Sequence, residues 1–80
     1  MSYTRTVQNA ILDSLATGAK THRELHVAVS SVMAWRHGIK VTPQNVRSRC
    51  AELVAIGMVK PGGTTRSHKY DRQVTLWKRV

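Results

Sequence analysis

Phenylalanine is absent from the 80 residues, cysteine occurs once, proline twice, and carboxylates number four against 13 lysines and arginines. Each shortage excludes something. A lone cysteine, Cys50, closes no intramolecular disulfide and offers one thiolate, which rules out a disulfide scaffold and any zinc site needing two or more cysteines. Asp13, Glu24, Glu52 and Asp71 are the whole acidic inventory. They form no recognisable catalytic pair, no Ser/His/Asp arrangement is evident, and no glycine-rich loop leads from a strand into a helix, so neither enzyme activity nor a cofactor is expected. No apolar run reaches 18 residues, and the opening Met1-Ser2-Tyr3-Thr4-Arg5-Thr6 lacks the apolar stretch of a secretory signal. The expectation is a cytoplasmic protein with no membrane partner.

What the chain has is charge and enough apolar content for one small core. Hydrophobic residues make up 41%, which disfavours general disorder. Eighty residues suit one domain spanning 1–80, and a chain this short buries only about 60% of its unfolded surface, so a deep substrate cavity would compete with the core. The net charge is +9, a balance that points to an anionic partner. Residues 1–40 carry five basic and two acidic groups, and residues 41–80 carry eight and two. The contact surface is therefore expected in the second half.

Three stretches have helical punctuation. Val7, Ile11 and Leu15 recur every four residues between Thr4, a possible N-cap, and Gly18, which predicts a helix over 4–17. Thr21-His22-Arg23-Glu24 is a T-x-x-E capping box that starts a second helix. Its apolar positions run through Leu25, Val29 and Val32 to Arg36, and it ends either near Ser30 or at His37, before Gly38. Ile39-Lys40-Val41 reads as a short extended segment. Thr42 and Pro43 open a third helix over 43–56, with Val46, Cys50, Leu53 and Gly57 on a buried stripe. Opposite that stripe lie Gln44, Ser48, Ala51 and Ala55, flanked by Asn45, Arg47 and Glu52.

Beyond Gly57 the pattern changes to two short strands, Met58-Val59-Lys60 and Val74 to Lys78. A Pro61-Gly62-Gly63 turn and a polar loop, Thr64 to Gln73, separate them. Arg66, Lys69 and Arg72 recur every third position in this loop, which is expected to be mobile without a partner.

Helix, capped helix, proline-started helix and basic hairpin together resemble a winged helix-turn-helix domain over nearly the whole chain. The likeness rests on Thr21-His22-Arg23-Glu24-Leu25, on Asn45 to Leu53 with Ile56-Gly57-Met58-Val59, and on Gln73-Val74-Thr75-Leu76-Trp77-Lys78. It is similar to small phage and prophage members. One departure is the 30–42 connection, longer than the family's usual turn: either the second helix is extended or an insertion is present. The resemblance implies an α+β fold, with three helices and a C-terminal two-stranded wing at about 58–79.

It also implies sequence-specific binding of double-stranded DNA, as in a transcription regulator or a recombination or replication accessory factor. The third helix would enter the major groove, with Arg47 on guanine, Gln44 or Asn45 on adenine, and Ser48 on either. Arg49 would run along the domain edge to a phosphate, and Arg23 with the second helix's N-terminus would hold another. Arg66, Lys69 and Arg72 in the wing would meet the backbone or minor groove, with His68 adding a phosphate contact and Tyr70 the best-placed aromatic. The alternatives are a protein-interaction module on an acidic host-protein surface and an RNA- or ribosome-associated protein. A homodimer is open, through the first helix or an exposed Trp35.

Other residues have structural readings. His22 and His26 are spaced to chelate a metal but lack an evident third ligand. Cys50 falls on a buried stripe, where it acts as a small apolar group. Trp77 and Trp35 are both expected to pack rather than to stack on bases.

Overall fold

A computed structural model describes residues 3–66 and 72–80. Three helices, α1 (Tyr3–Leu15), α2 (His22–His37) and α3 (Pro43–Ala55), precede an antiparallel hairpin of β1 (Val59–Arg66) and β2 (Gln73–Arg79). This is an α+β arrangement with the layout of a winged helix. His68, Lys69 and Tyr70, three of the wing residues expected to contact DNA, lie outside the described residues.

The helix starts follow from local chemistry. At α2 the Thr21 hydroxyl accepts from the Glu24 N–H at 3.2 Å and the Glu24 carboxylate accepts from the Thr21 N–H at 2.9 Å. Two otherwise orphan donors are thus satisfied. At α3 the Thr42 hydroxyl accepts from the Asn45 N–H at 3.2 Å, and Pro43 occupies a first-turn position where no N–H is required. At α1 the expectation fails by a few residues: the helix already includes Thr4, whose hydroxyl serves a tertiary contact instead of a cap, and it ends at Leu15.

The length of α2 resolves the long connection. It runs four turns to His37 and ends where Gly38, at φ 62°, donates its N–H back to the Ala34 carbonyl. The left-handed conformation there favours glycine. Residues 39–41 form no strand. Their chain is pinned to α2 through the Val41 carbonyl, which accepts from His26 Nε2 at 2.9 Å and from the Ser30 hydroxyl at 3.3 Å.

One cluster of buried side chains unites the elements. Val7, Ile11 and Leu15 of α1 meet Leu25, Val29 and Met33 of α2, Val46, Cys50 and Leu53 of α3, and Val41 and Val59. Full burial of each aliphatic side chain is worth about 1.5–3 kcal/mol. The third core position of α2 is Met33 and not Val32, because a strict four-residue step suits the packed stripe over these turns. Arg36 is exposed, and Gly57 lies beyond the end of α3, at φ 81°, exposed rather than on the stripe.

The hairpin is longer than the sequence pattern implies. Thr64, Thr65 and Arg66 belong to β1, paired with Thr75, Val74 and Gln73, so the Pro61-Gly62-Gly63 stretch is a bulge within the strand rather than its end. Gly63, at φ 107°, supplies the conformation that absorbs the extra residue. Gly62 lies under the Lys78 stem, where a Cβ would come within 2.9 Å of Lys78 Cγ and Cδ.

Trp77 anchors β2 to the helices. Its N–H donates to the Lys20 carbonyl at 2.8 Å and its carbonyl accepts from the Lys20 N–H at 2.9 Å. Both polar groups thus point away from β1, where Pro61 sits opposite. A proline is tolerated there because no ladder bond is asked of it. Among the described residues no helix is long and apolar enough to cross a membrane.

Candidate nucleic-acid interface

The outer face of α3 carries Gln44, Arg47 and Ser48, all exposed, within its first two turns. The four- and three-residue spacings of these positions put them on one side of the helix, and the buried Val46, Cys50 and Leu53 hold the other side to the core. No carboxylate lies on this part of the helix. The face can present an amide, a guanidinium and a hydroxyl to an incoming partner.

Asn45 and Arg49 are placed differently. Asn45 is half-buried, with its amide Nδ2 directed to the Tyr3 hydroxyl at 3.4 Å. Arg49 lies in the seam between α1 and α3: Nε pairs with Glu52 Oε1 at 2.8 Å, and Nη1 donates to the Thr4 hydroxyl at 3.2 Å. The same Glu52 oxygen accepts from Gln8 Nε2 at 3.0 Å. This clamp ties α3 to α1 and neutralises Arg49 locally. The i, i+3 spacing of Arg49 and Glu52 was visible in the sequence, but the partners Thr4 and Gln8 come from 45 and 44 residues away.

A second junction brings α2, α3 and β2 together. The His22 and Trp77 rings face one another at 5.3 Å between centroids, tilted by 47°. Burial first, and the positive charge of Arg47 second, hold the His22 imidazole below its ordinary pKa. His22 is thus neutral at pH 7 and stands behind Arg47 as packing, while His26 is committed to the Val41 carbonyl. The expected packing of Trp77 is what the structure shows. Cys50 is fully buried, and burial alone pushes its thiol pKa up.

The hairpin adds cations that the sequence pattern did not single out. Lys60 of β1 and Lys78 of β2 are register partners, both exposed, and Arg79 follows opposite Val59. Directly opposed like charges weaken a ladder by a few tenths of a kcal/mol up to about 1. Such a pair concentrates positive potential where a polyanion can offset it. Register depends on the bulge at Pro61–Thr64, so this pairing is invisible in a linear reading. Arg66 and Arg72 stand exposed at the outer end of the hairpin, and Arg23 stands exposed at the start of α2.

Trp35 departs from the packing expected of it: it is 89% exposed on the outer side of α2, with Val27 61% exposed two turns earlier. The chain matches no family model, no curated protein and no solved structure.

Proposed function

We propose that this chain binds double-stranded DNA, with α3 in the major groove and the basic hairpin on the adjacent backbone or minor groove. The observation that carries this reading is the outer face of α3, where Gln44, Arg47 and Ser48 are exposed together on a capped helix whose first two turns hold no carboxylate. An arginine there suits guanine O6 and N7, and the amide suits adenine N6 and N7. Charge supports it: the net is +9, and two of the four carboxylates are already engaged, Glu24 in a cap and Glu52 in the α1–α3 clamp.

Phosphate contacts come from Arg23, Lys60, Arg66, Arg72 and Lys78, with Lys69, His68 and Tyr70 of the wing joining them. Asn45 and Arg49, turned toward α1, hold the recognition helix in position. Such a module serves as a sequence-specific regulator or as an accessory factor in recombination or replication.

The test is a fluorescence-anisotropy titration against random duplex DNA and single-stranded RNA over a salt series. If five to seven of these eight groups each neutralise a phosphate, the log–log salt slope on duplex DNA is roughly −4.5 to −6.3. Preference for the single-stranded RNA, or binding weaker than about millimolar to both at low salt, would overturn the reading.

A further inference from the structure

Gly62 of β1 differs from the other four glycines of the chain. Gly18, Gly38, Gly57 and Gly63 have positive φ and open space where a side chain would stand. Gly62 is the reverse: its φ lies outside the left-handed region, and a Cβ there would meet Lys78 Cγ and Cδ at 2.9 Å and Lys78 Cβ at 3.2 Å. The backbone at 62 does not ask for glycine. The Lys78 stem does.

Register fixes which side of the hairpin this is. Val59 is buried in the core and Trp77 packs on His22, so alternation along each strand turns Lys60 and Lys78 to the outward side. Lys60 stands directly opposite Lys78, and Gly62 lies two residues farther toward the outer end of the hairpin, where Arg66 and Arg72 stand. The Lys78 stem therefore leans diagonally across β1 and away from Lys60. A side chain at 62 would close that path and leave the two ammonium groups side by side. Among the described residues neither lysine has a carboxylate partner.

We propose that Gly62 is a positioning residue for polyanion binding: by leaving the outward face of β1 bare, it lays Lys78 along the hairpin as a preset contact for a backbone phosphate. This deepens the DNA reading and rests on it. Lysine has among the most rotamer freedom to lose on being fixed, so a stem already seated on the strand gives up less when its ammonium meets a phosphate. The lean also spaces the Lys60 and Lys78 charges, so that each neutralises a separate phosphate.

The experiment measures the salt slope of random-duplex binding by fluorescence anisotropy for the unsubstituted chain, Gly62→Ala, Lys78→Ala and the double variant. Nuclear Overhauser contacts between the Lys78 methylenes and the Gly62 Hα are read on the DNA-free unsubstituted chain, which tests the pose without relying on the folding of any variant. The expected result is a clear contact in the free chain and a slope made shallower by about 0.9 in Gly62→Ala and in Lys78→Ala alike, the loss of one phosphate. The double variant is expected to be no shallower than Lys78→Ala, because the glycine acts only through that lysine. A merely structural glycine would weaken binding in both backgrounds. A full slope in Gly62→Ala or in Lys78→Ala, a further loss in the double variant, or no contact between Lys78 and Gly62 in the free chain would each overturn the positioning role and leave DNA binding standing. An unsubstituted chain that does not bind the duplex would overturn the DNA reading, and this role with it.

Discussion

Lys20 and Trp77 exchange both of their backbone hydrogen bonds, at 2.9 and 2.8 Å, and this single bridge joins the hairpin to the α1–α2 connection. Its partner contact is the His22 ring lying against the indole. The orientation of the basic hairpin relative to α3 thus rests on this bridge together with Val59 of β1, which is buried in the core. Trp77→Ala is expected to destabilise the fold by about 2–3 kcal/mol, less than a fully buried tryptophan because the indole is partly exposed. Urea denaturation measures it. A loss under about 0.5 kcal/mol would show that the hairpin is held by other contacts.

Stability should fall on acidification through His22. Its pKa is lowered in the folded protein, so below about 6.5 the unfolded chain takes up the proton first. The stabilising contribution is complete above pH 7 and is lost as pH falls through 6.5 toward the folded-state value. Arg47→Ala removes the second cause of the shift, so the His22 titration followed by NMR should move up toward 6.5 in that variant. An unmoved titration would mean that Arg47 does not bear on the ring.

Arg47 and Arg49, two residues apart on α3, should separate by assay. Arg47→Ala should reduce affinity for a selected DNA site by about 1–3 kcal/mol, with a smaller effect on random duplex. Arg49→Ala should act on the fold, costing about 1 kcal/mol through the loss of its half-buried pairing with Glu52 and Thr4. Equal effects of the two substitutions on the specific-to-random affinity ratio would contradict this division.

Lys78→Glu is expected to move stability and binding in opposite directions. Replacing the like-charge pair with Lys60 by an opposite-charge pair should stabilise the hairpin by about 0.5 kcal/mol. The same change should weaken binding to all duplexes and make the salt slope shallower by about 1 or more. Thermal melting and anisotropy on one preparation test both signs.

Features set by short-range chemistry were legible in the sequence. The Thr21–Glu24 box, the Thr42-Pro43 start and the α1 stripe are local signals, and all three describe the folded chain. Exposure of Gln44, Arg47 and Ser48 followed from the same periodicity. What escaped depends on partners distant in the chain. Thr4 caps nothing because Arg49 reaches it, Met33 replaces Val32 in the core because of the packing of three helices, and Lys60 meets Lys78 only through the bulge. Thr64 to Arg66 looked like loop because strand pairing of polar residues leaves no apolar alternation to detect. Trp35 was misplaced for the opposite reason: a large aromatic suggests burial by composition, but the stripe that α2 buries is already filled by Leu25, Val29 and Met33.

Pro61 has a consequence for how the protein behaves at high concentration. Its backbone faces the open side of β1, since Trp77 directs its own polar groups to Lys20. An incoming strand would find a missing donor there and, immediately beyond it, the kink between Pro61 and Thr64. The opposite side of β2 is already occupied at Trp77 by Lys20. Each border of the sheet is thus interrupted at one position, which disfavours strand-to-strand stacking of a hairpin that is otherwise long, polar and strongly cationic.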